Sequence, residues 1–345
     1  MTTPQQTLPR SSEKTTKSGK GKRDKKDGKR KDAKRRGAAA DFADVGASAK
    51  SKEKKSRGGG KPKGKEKKSG KQRKGKRRAV DPRFTAATAD KHDLYQLSVQ
   101  APEIDSEFFY DYVKSYTKRA PRWFREDFCG TFVLSSHFVK LHRDNHAICV
   151  DLDGPTLDWG REHNLAQLSA KEQQRIHIYQ RDVLELCEPK ADVIAAMNFS
   201  YCIFKTRELM QRYFDNCYRS LNDGGVLMLD IWGGSETQEL MEEPREIEQG
   251  FTYVWDQFAF DPLTYHSVCK IHFKFADRTK MRDAFVYDWR MWTAPELHEM
   301  MVAAGFEDVH FLWDMSDNDD ENDYQRCDHG EPDTAWIAYL VGRRG

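Results

Sequence analysis

The chain has 345 residues and a formal net charge of +3, but this charge is unevenly divided. Residues 1–80 hold 30 Lys and Arg against 8 Asp and Glu, a net charge of +22, whereas residues 81–345 hold 28 against 47, a net charge of −19. Because residues 1–80 have few apolar side chains to bury, they cannot form a core, and we expect a disordered basic tail. Residues 81–345 are long enough for one domain with a sizeable core.

The predicted tail carries dense Lys and Arg clusters at 22–26 and 29–36. Such clusters bind phosphate backbones through counterion release and also suit a nuclear or nucleolar address. We therefore expect a nucleic acid or another acidic partner for the tail and a nuclear, nucleolar or otherwise cytoplasmic protein. The alternative is a solvated polycation that only aids solubility.

Several classes of protein are excluded by what the chain lacks. The charged N-terminus has no apolar core of a signal peptide, and no apolar run has the length of a membrane span, so we expect neither secretion nor a membrane partner. Seven cysteines are scattered without a Cys-x-x-Cys pair. This spacing predicts reduced thiols, with no disulfide framework and no metal site.

Helical and strand periodicities alternate along the first part of the domain. Short alternating strands and helices predict a parallel sheet with helices on both faces, a doubly wound α/β fold. The predicted order is a helix over 104–116, a strand over 123–128, a helix over 132–141, a strand over 147–152, a helix over 156–168, strands over 176–179 and 191–198, a helix over 207–221 and a strand over 226–231.

The pattern changes beyond residue 250 to long strand-like segments at 251–260, 267–275 and 284–292. Local turns between them predict antiparallel pairing. A capping box formed by Thr293 and Glu296 opens a helix over 297–304. Strands at 309–313 and 334–341 close the chain as a hairpin. The domain is therefore expected to divide into a ligand-binding half, about 120–232, and an antiparallel half, about 250–345.

Ligands of open parallel sheets bind at the carboxyl ends of the strands. The residues that follow the first four strands lie at 126–131, 151–153, 182–183 and 198–201. Gly130 lets the backbone pass close to a ligand at the start of a helix, where unpaired N–H groups collect. Asp151 can accept both hydroxyls of a ribose, and Asp182 can accept from an adenine amine. These residues together predict a nucleotide-like ligand.

This ordered set of segments resembles the class I S-adenosylmethionine-dependent methyltransferases. More narrowly, it is similar to a poorly characterised subgroup whose first motif reads R-E-D-F-C-G-T, as at 125–131. The resemblance extends over about 93–341 and implies a Rossmann-like seven-stranded sheet with an antiparallel C-terminal portion and S-adenosylmethionine as cofactor. The chain departs from the usual Gly-x-Gly-x-Gly at Phe128 and Phe132. The other segments that carry the resemblance are 150–153, 159–165, 198–201 and 287–292.

The resemblance also implies roles for individual residues. Glu126 faces the methionine amino group, and Asp151 binds the ribose next to Leu152, a neighbour of the adenine. The remaining cofactor-binding residues are the turn Cys129, Gly130 and Thr131, the adenine clamp Asp182 and Val183, and the pair Asn198 and Phe199 beside the methyl donor.

The function predicted in this way is methyl transfer to a small molecule or a protein side chain, with Asn198 and Tyr201 orienting the acceptor. The late strands are expected to form the far wall of the site through Tyr287, Asp288 or Arg290, although aromatic residues at alternate strand positions more often belong to a core. Segments 251–260 and 314–333 are expected to cover the cleft, and carboxylates there would favour a cationic acceptor. The alternative function is a non-catalytic binding module that the basic tail docks on RNA or chromatin.

Overall fold

The computed structural model describes residue 81 and residues 83–185, 188–316 and 323–345. The basic tail, 1–80, lies outside the described residues, and so do the disorder, phosphate binding and targeting predicted for it. Within the described ranges, no helix combines the length and the apolar character that crossing a membrane requires.

The helices of the described ranges bury one stripe of side chains, except the four-residue α5, which buries none. In α6 the buried apolar residues recur every three or four positions, as a single helical face requires: Met210, Tyr213, Phe214 and Cys217. The bounds are α1 (Lys91–Val99), α2 (Pro102–Thr117), α3 (Val133–Leu141), α4 (Gly154–His163), α5 (Ala170–Gln173), α6 (Arg207–Ser220) and α7 (Ala294–Ala303).

The predicted capping box is confirmed at the start of α7. The Thr293 hydroxyl accepts from the Glu296 N–H, and the Glu296 carboxylate accepts from the Thr293 N–H. The helix begins three residues earlier than predicted, because proline fits the first turn of a helix, where its missing N–H has no partner to lose.

The strands form two separate sheets. Their bounds are β1 (Trp123–Asp127), β2 (His146–Asp151), β3 (Ile176–Gln180), β4 (Ala191–Ala196), β5 (Leu221–Gly233), β6 (Met241–Glu246), β7 (Phe251–Asp261), β8 (His266–Phe275), β9 (Lys280–Arg290), β10 (Glu307–Asp314), β11 (Tyr324–Cys327) and β12 (Trp336–Arg343).

The first sheet has eight strands in the order β11-β10-β12-β5-β4-β1-β2-β3. Strands β1 to β5 are parallel, and β12 pairs antiparallel with β5. Strand β10 pairs antiparallel with β12, as the predicted hairpin required. The predicted seven-stranded sheet is therefore corrected to a mixed sheet of eight. The additional strand, β11, is a short edge strand whose residues are all at least partly exposed, so no hydrophobic alternation marks it in the sequence.

Helices cover both faces of this sheet, as the doubly wound pattern predicted. Successive residues of β4 point to opposite sides. Val193 and Ala195 pack in a cluster with residues of α2 and α3, whereas Ile194 and Ala196 pack in a cluster with residues of α6 and α7. The carboxyl ends of the parallel strands consequently meet at one edge between two helical layers.

The second sheet is antiparallel, in the order β6-β7-β8-β9. Its three long strands and their antiparallel pairing were predicted, whereas β6 was not. The sequence of β6, Met-Glu-Glu-Pro-Arg-Glu, is charged and contains Pro244. This composition resembles that of a loop, yet β6 pairs along its whole length with β7. Proline is tolerated there because β6 is an edge strand, which needs no N–H on its outer side.

One face of the second sheet is rich in aromatic side chains. The register places Glu243 of β6 opposite Trp255 of β7, and Trp255 opposite Ile271 of β8. Because alternate residues of a strand share a face, the same face includes both charged and aromatic residues: Glu243, Arg245, Tyr253, Trp255, Tyr287 and Trp289.

Candidate active site

The turn after β1 holds three residues in the left-handed backbone region. These are Phe128 (φ 57°), Gly130 (φ 51°) and Phe132 (φ 47°), at the positions of the three motif glycines. This conformation costs a residue other than glycine about 1–2 kcal/mol, so packing must hold both phenylalanines in place. The turn thus keeps the backbone path of the glycine motif without its first and third glycines.

Phe132 is accommodated by helix α4. Its ring is fully buried and lies over Gly160, where an added Cβ would come within 2.8 Å of the ring carbon Cζ. One turn later, Asn164 Nδ2 donates to the Thr131 carbonyl at 2.8 Å. These contacts give segment 159–165 a structural role, since it receives the ring and supports the turn from below.

The ligand side of the turn retains open space. The Phe128 ring packs against Phe204 and Tyr213, with 5.8 Å between ring centroids in each pair. An added Cβ on Gly130 would meet only the Thr156 methyl carbon within 4 Å, at 3.8 Å. The turn is therefore compatible with a ligand that passes close to the backbone at Gly130.

The structure brings the ends of β1 and β2 together. The Gly130 N–H donates to Asp151 Oδ2 at 2.8 Å, and the Asp153 N–H donates to Asp151 Oδ1 at 2.9 Å. The neighbouring Leu152 is 61% exposed. An oriented carboxylate beside an uncovered apolar side chain suits a ligand with a polar sugar and a flat apolar ring.

Glu126 is buried and anchors helix α3. Its Oε2 accepts from both the N–H and the hydroxyl of Ser135, at 3.0 and 2.6 Å. The cap position of α3, Phe132, makes no side-chain cap, so Glu126 satisfies an N–H of the first turn in its place. Burial raises the pKa of Glu126 to about 7, although the Ser135 hydrogen bonds lower it.

Cys129 and Thr131 lie on the inner side of the turn. The Cys129 N–H donates to the Val150 carbonyl at 3.1 Å, which joins the turn to β2. Thr131 Oγ1 accepts from Gln96 Nε2 of α1 at 2.8 Å. Helix α1 is thereby tied to the first motif and covers this part of the site.

Asp182 and Val183 follow β3, as predicted. The Asp182 carboxylate accepts from the Leu184 N–H at 2.9 Å. The Val183 carbonyl accepts from Arg125 and Asn216, and Arg125 forms a fully buried ion pair with Asp127 at 2.6 Å. The segment after β3 is thus fastened to the first motif through Arg125.

The loop after β4 contains two consecutive left-handed residues, Asn198 and Phe199, each with φ 56°. Asp230 of β5 holds both, since Oδ2 accepts from the Asn198 N–H at 2.7 Å and Oδ1 accepts from the Phe199 N–H at 3.0 Å. The buried Tyr201 hydroxyl donates to the Asp230 carbonyl at 2.6 Å. Backbone strain that neighbouring residues hold in place, as Asp230 and Tyr201 do here, is concentrated at functional sites.

Asp230 was missed by the sequence analysis. It lies in the apolar run of β5, three residues before the strand ends, whereas Asp151 is the last residue of β2. Its partners lie 29 to 32 positions away in sequence, so only the pairing of β4 and β5 reveals them. Burial raises the pKa of Asp230 to about 7, although the two N–H donors lower it.

A pocket opens beside this loop, between the carboxyl edge of the first sheet and the aromatic face of the second. We call it the aromatic pocket. Asn198, Phe199 and Trp232 line it from the first sheet, and Tyr95 and Val99 line it from α1. The wall from the second sheet includes Glu243, Arg245, Tyr253, Trp255, Tyr287 and Trp289. The described residues make no hydrogen bond to the Asn198 side chain.

Only some of the predicted wall residues line this pocket. Tyr287 does, whereas Asp288 binds Lys205 and His266, and Arg290 stacks over the Trp292 ring at 3.8 Å. Segment 251–260 contributes two rings, but the described residues of 314–333 do not line the aromatic pocket. Of the two predicted catalytic residues, Asn198 lines the pocket and the buried Tyr201 instead holds the loop.

Known proteins resemble the chain in structure and not in sequence. No family model matches it, and no curated protein matches its sequence. The SAM-bound structure of CalS10, an amino pentose methyltransferase from Micromonospora echinaspora, is 14% identical, with a TM-score of 0.54 over 74% of this chain and 96% of that chain.

Two further solved structures show the same likeness. An S-adenosylmethionine-dependent methyltransferase from Clostridium acetobutylicum is 17% identical, with a TM-score of 0.54 over 74% of this chain and 98% of that chain. The sugar N-methyltransferase KedS8 from Streptoalloteichus is 18% identical, with a TM-score of 0.52 over 80% and 99%. This protein therefore has the fold of the class I S-adenosylmethionine-dependent methyltransferases.

Proposed function

We propose that this protein is an S-adenosylmethionine-dependent methyltransferase of the subgroup whose first motif reads R-E-D-F-C-G-T. The observation that carries the proposal is the meeting of three features at one sheet edge. Gly130 follows β1 and is joined by a hydrogen bond to Asp151 at the end of β2, and Asn198 follows the neighbouring strand β4 and lines a separate pocket. A cofactor site and an acceptor site must adjoin in this way for a group to pass between them.

The residues present fit this cofactor. The open space at Gly130 accommodates the methionine portion, and the Asp151 carboxylate is an acceptor for ribose hydroxyls. Leu152 supplies an exposed apolar surface for the adenine, with Asp182 and Val183 at its edge. Glu126, Cys129 and Thr131 keep the turn in shape from its buried side, and Phe199 borders the methyl donor.

When bound, S-adenosylmethionine supplies an electrophilic methyl group, which an acceptor lone pair takes while the electron pair of the broken bond stays on sulfur. The chain's contribution is to position the acceptor and exclude water. Asn198 orients the acceptor through its side-chain amide. Asp230 and Tyr201 act on the acceptor indirectly, because they hold the loop that carries Asn198.

The acceptor proposed here is an amine. CalS10 is an amino pentose methyltransferase and KedS8 is a sugar N-methyltransferase. The aromatic pocket suits one small molecule or one side chain, because the second sheet and α1 border it.

The proposal is tested by calorimetric titration of the full chain with S-adenosylmethionine and S-adenosylhomocysteine. We expect micromolar binding that Asp151→Ala weakens by at least tenfold, since a buried or oriented carboxylate hydrogen bond contributes about 1.5–3 kcal/mol. Asp158→Ala, on the exposed side of α4, is the matched control and should bind as the wild type does. Absence of binding at millimolar cofactor would overturn the proposal in favour of the non-catalytic module.

A further inference from the structure

We propose that the aromatic pocket binds its acceptor as a cation, an ammonium group on a small apolar body, with Glu243 as the countercharge. This inference rests on the proposed function for identifying the ligand of the pocket as a methyl acceptor. The preference of the pocket for a cation does not depend on that function. It is carried by the ring arrangement and by the isolated carboxylate.

The rings form a connected aromatic wall. Tyr287 and Trp289 stack with 4.5 Å between centroids, and Trp255 lies 6.0 and 6.2 Å from them. Trp232 of the first sheet meets Trp255 edge to face at 5.8 Å. Aromatic faces attract cations through their quadrupole, with tryptophan the strongest, and tyrosine and tryptophan cages are the usual binding sites of ammonium ligands.

Glu243 adds a negative charge to this wall. It is half-buried, lines the pocket and lies directly across from Trp255 in the β6–β7 register. Among the described residues, no hydrogen-bond or ion-pair partner belongs to its carboxylate, and burial raises its pKa. Leaving a half-buried carboxylate unpaired costs free energy. A cationic ligand would pair with Glu243, and this ion pair would strengthen the binding of the ligand.

Arg245 is the other charged residue among the described residues that line the pocket, and the chain itself engages its guanidinium. Its guanidinium lies over the Tyr253 ring at 5.2 Å and donates to the Ser98 carbonyl. One ring of the wall thus already binds a cation supplied by the chain. The remaining rings and Glu243 lie further along the same face, so they are available to a ligand.

A bound ammonium group must lose a proton before its nitrogen lone pair can react. Glu243 is the carboxylate among the lining residues that can take this proton. The transfer leaves a neutral amine and a neutral carboxyl group, so it creates no new charge in the pocket. The neutral amine is then the nucleophile that the proposed methyl transfer requires.

The test compares two probes that differ only in charge, choline and 3,3-dimethyl-1-butanol. Each is titrated into the full-length protein without cofactor, and binding is followed by tryptophan fluorescence and by calorimetry. We expect choline to bind at least tenfold more tightly than the alcohol. Glu243→Gln should weaken choline binding by about tenfold, as the loss of one charged contact does, and leave the alcohol unchanged. Trp255→Leu should weaken choline by about three- to tenfold.

Glu242→Gln is the matched control, because Glu242 is the adjacent carboxylate on β6 but points to the opposite face and pairs with Lys274. It should bind choline as the wild type does. Equal affinity for the two probes, or equal losses in Glu242→Gln and Glu243→Gln, would overturn the inference. Cofactor titration of the same samples separates the two proposals: cofactor binding without choline preference refutes only the cation site, and choline preference without cofactor binding refutes only the methyltransferase.

Discussion

At the scale of single residues, the site depends on carboxylates that lie in the protein interior. Glu126 and Asp230 are each no more than 5% exposed, yet each accepts hydrogen bonds from two N–H or O–H donors of a loop or helix start. They hold the backbone of the site in conformations that the local sequence does not favour. The same burial that makes them effective anchors also raises their pKa values.

The raised pKa of Glu126 predicts a pH-dependent stability. Its carboxyl titrates near 4.5 when unfolded and near 7 when folded, so the folded state holds a proton that the unfolded state has lost between these values. Stability should therefore fall as the pH rises from 5 to 8, by about 3 kcal/mol for this group. The free energy of unfolding from urea titrations at both pH values measures the effect.

Glu126→Gln isolates this contribution. Both Ser135 contacts reach one oxygen, so a glutamine retains them and removes only the titration. Between pH 5 and 8, we expect the free energy of unfolding of the variant to fall by about 3 kcal/mol less than that of the wild type. Glu107→Gln, exposed on α2, should keep the wild-type pH dependence. If the stability of Glu126→Gln fell with rising pH as much as that of the wild type, this carboxyl would not titrate in that range.

At the scale of secondary-structure elements, helix α4 compensates for the unusual first motif. A turn with phenylalanine at the third glycine position needs room for the ring, and α4 supplies it with Gly160. Asn164 then supports the Thr131 carbonyl. Segments 125–131 and 159–165 are therefore two halves of one structural unit.

Gly160→Ala tests this pairing. The added Cβ would lie 2.7 Å from the Thr131 carbonyl oxygen and within 2.8 Å of the Phe132 ring, so the turn must shift. We expect a loss of about 1–3 kcal/mol, the usual effect of overpacking, measured by urea unfolding. Gly154→Ala in the same helix meets only the flexible end of Gln180 and should change stability by less than about 0.5 kcal/mol. Equal effects of the two substitutions would exclude the pairing.

At the scale of the whole molecule, the aromatic pocket exists because two sheets meet. The loop after β4 and the end of β5 supply one wall, and the aromatic face of β6–β9 supplies the other. The Trp232 and Trp255 rings bridge the two sheets with an interplanar angle of 79°. Their contact lies between elements that are not hydrogen-bonded to each other.

A double-mutant cycle on Trp232→Leu and Trp255→Leu measures this contact. Each single variant should lower the free energy of unfolding. The loss in the double variant should be smaller than the sum of the two single losses by about 0.5–1.5 kcal/mol, the usual coupling of an aromatic pair. Thermal and urea unfolding of the four proteins complete the cycle. Additivity within about 0.3 kcal/mol would mean that the rings do not stabilise the junction of the sheets.

The sequence by itself determined that β1 to β5 run parallel, the capping box of α7 and the placement of Gly130, Asp151 and Asn198 where strands end. These features arise from hydrophobic periodicity, turn residues and strand ends, which are local along the chain. The finer roles of the strand-end residues stay predictions, as do those of the basic tail.

Only the tertiary structure decided which of these residues meet. The anchor role of Asp230 depends on the pairing of β4 with β5, and the isolation of Glu243 depends on the register of β6. The alternating aromatic residues of β7 and β9 would fit a core equally well by pattern, and only the gap between the sheets makes them a pocket wall. The physical reason is that periodicity specifies which face a side chain takes, whereas the packing of distant elements specifies what that face meets.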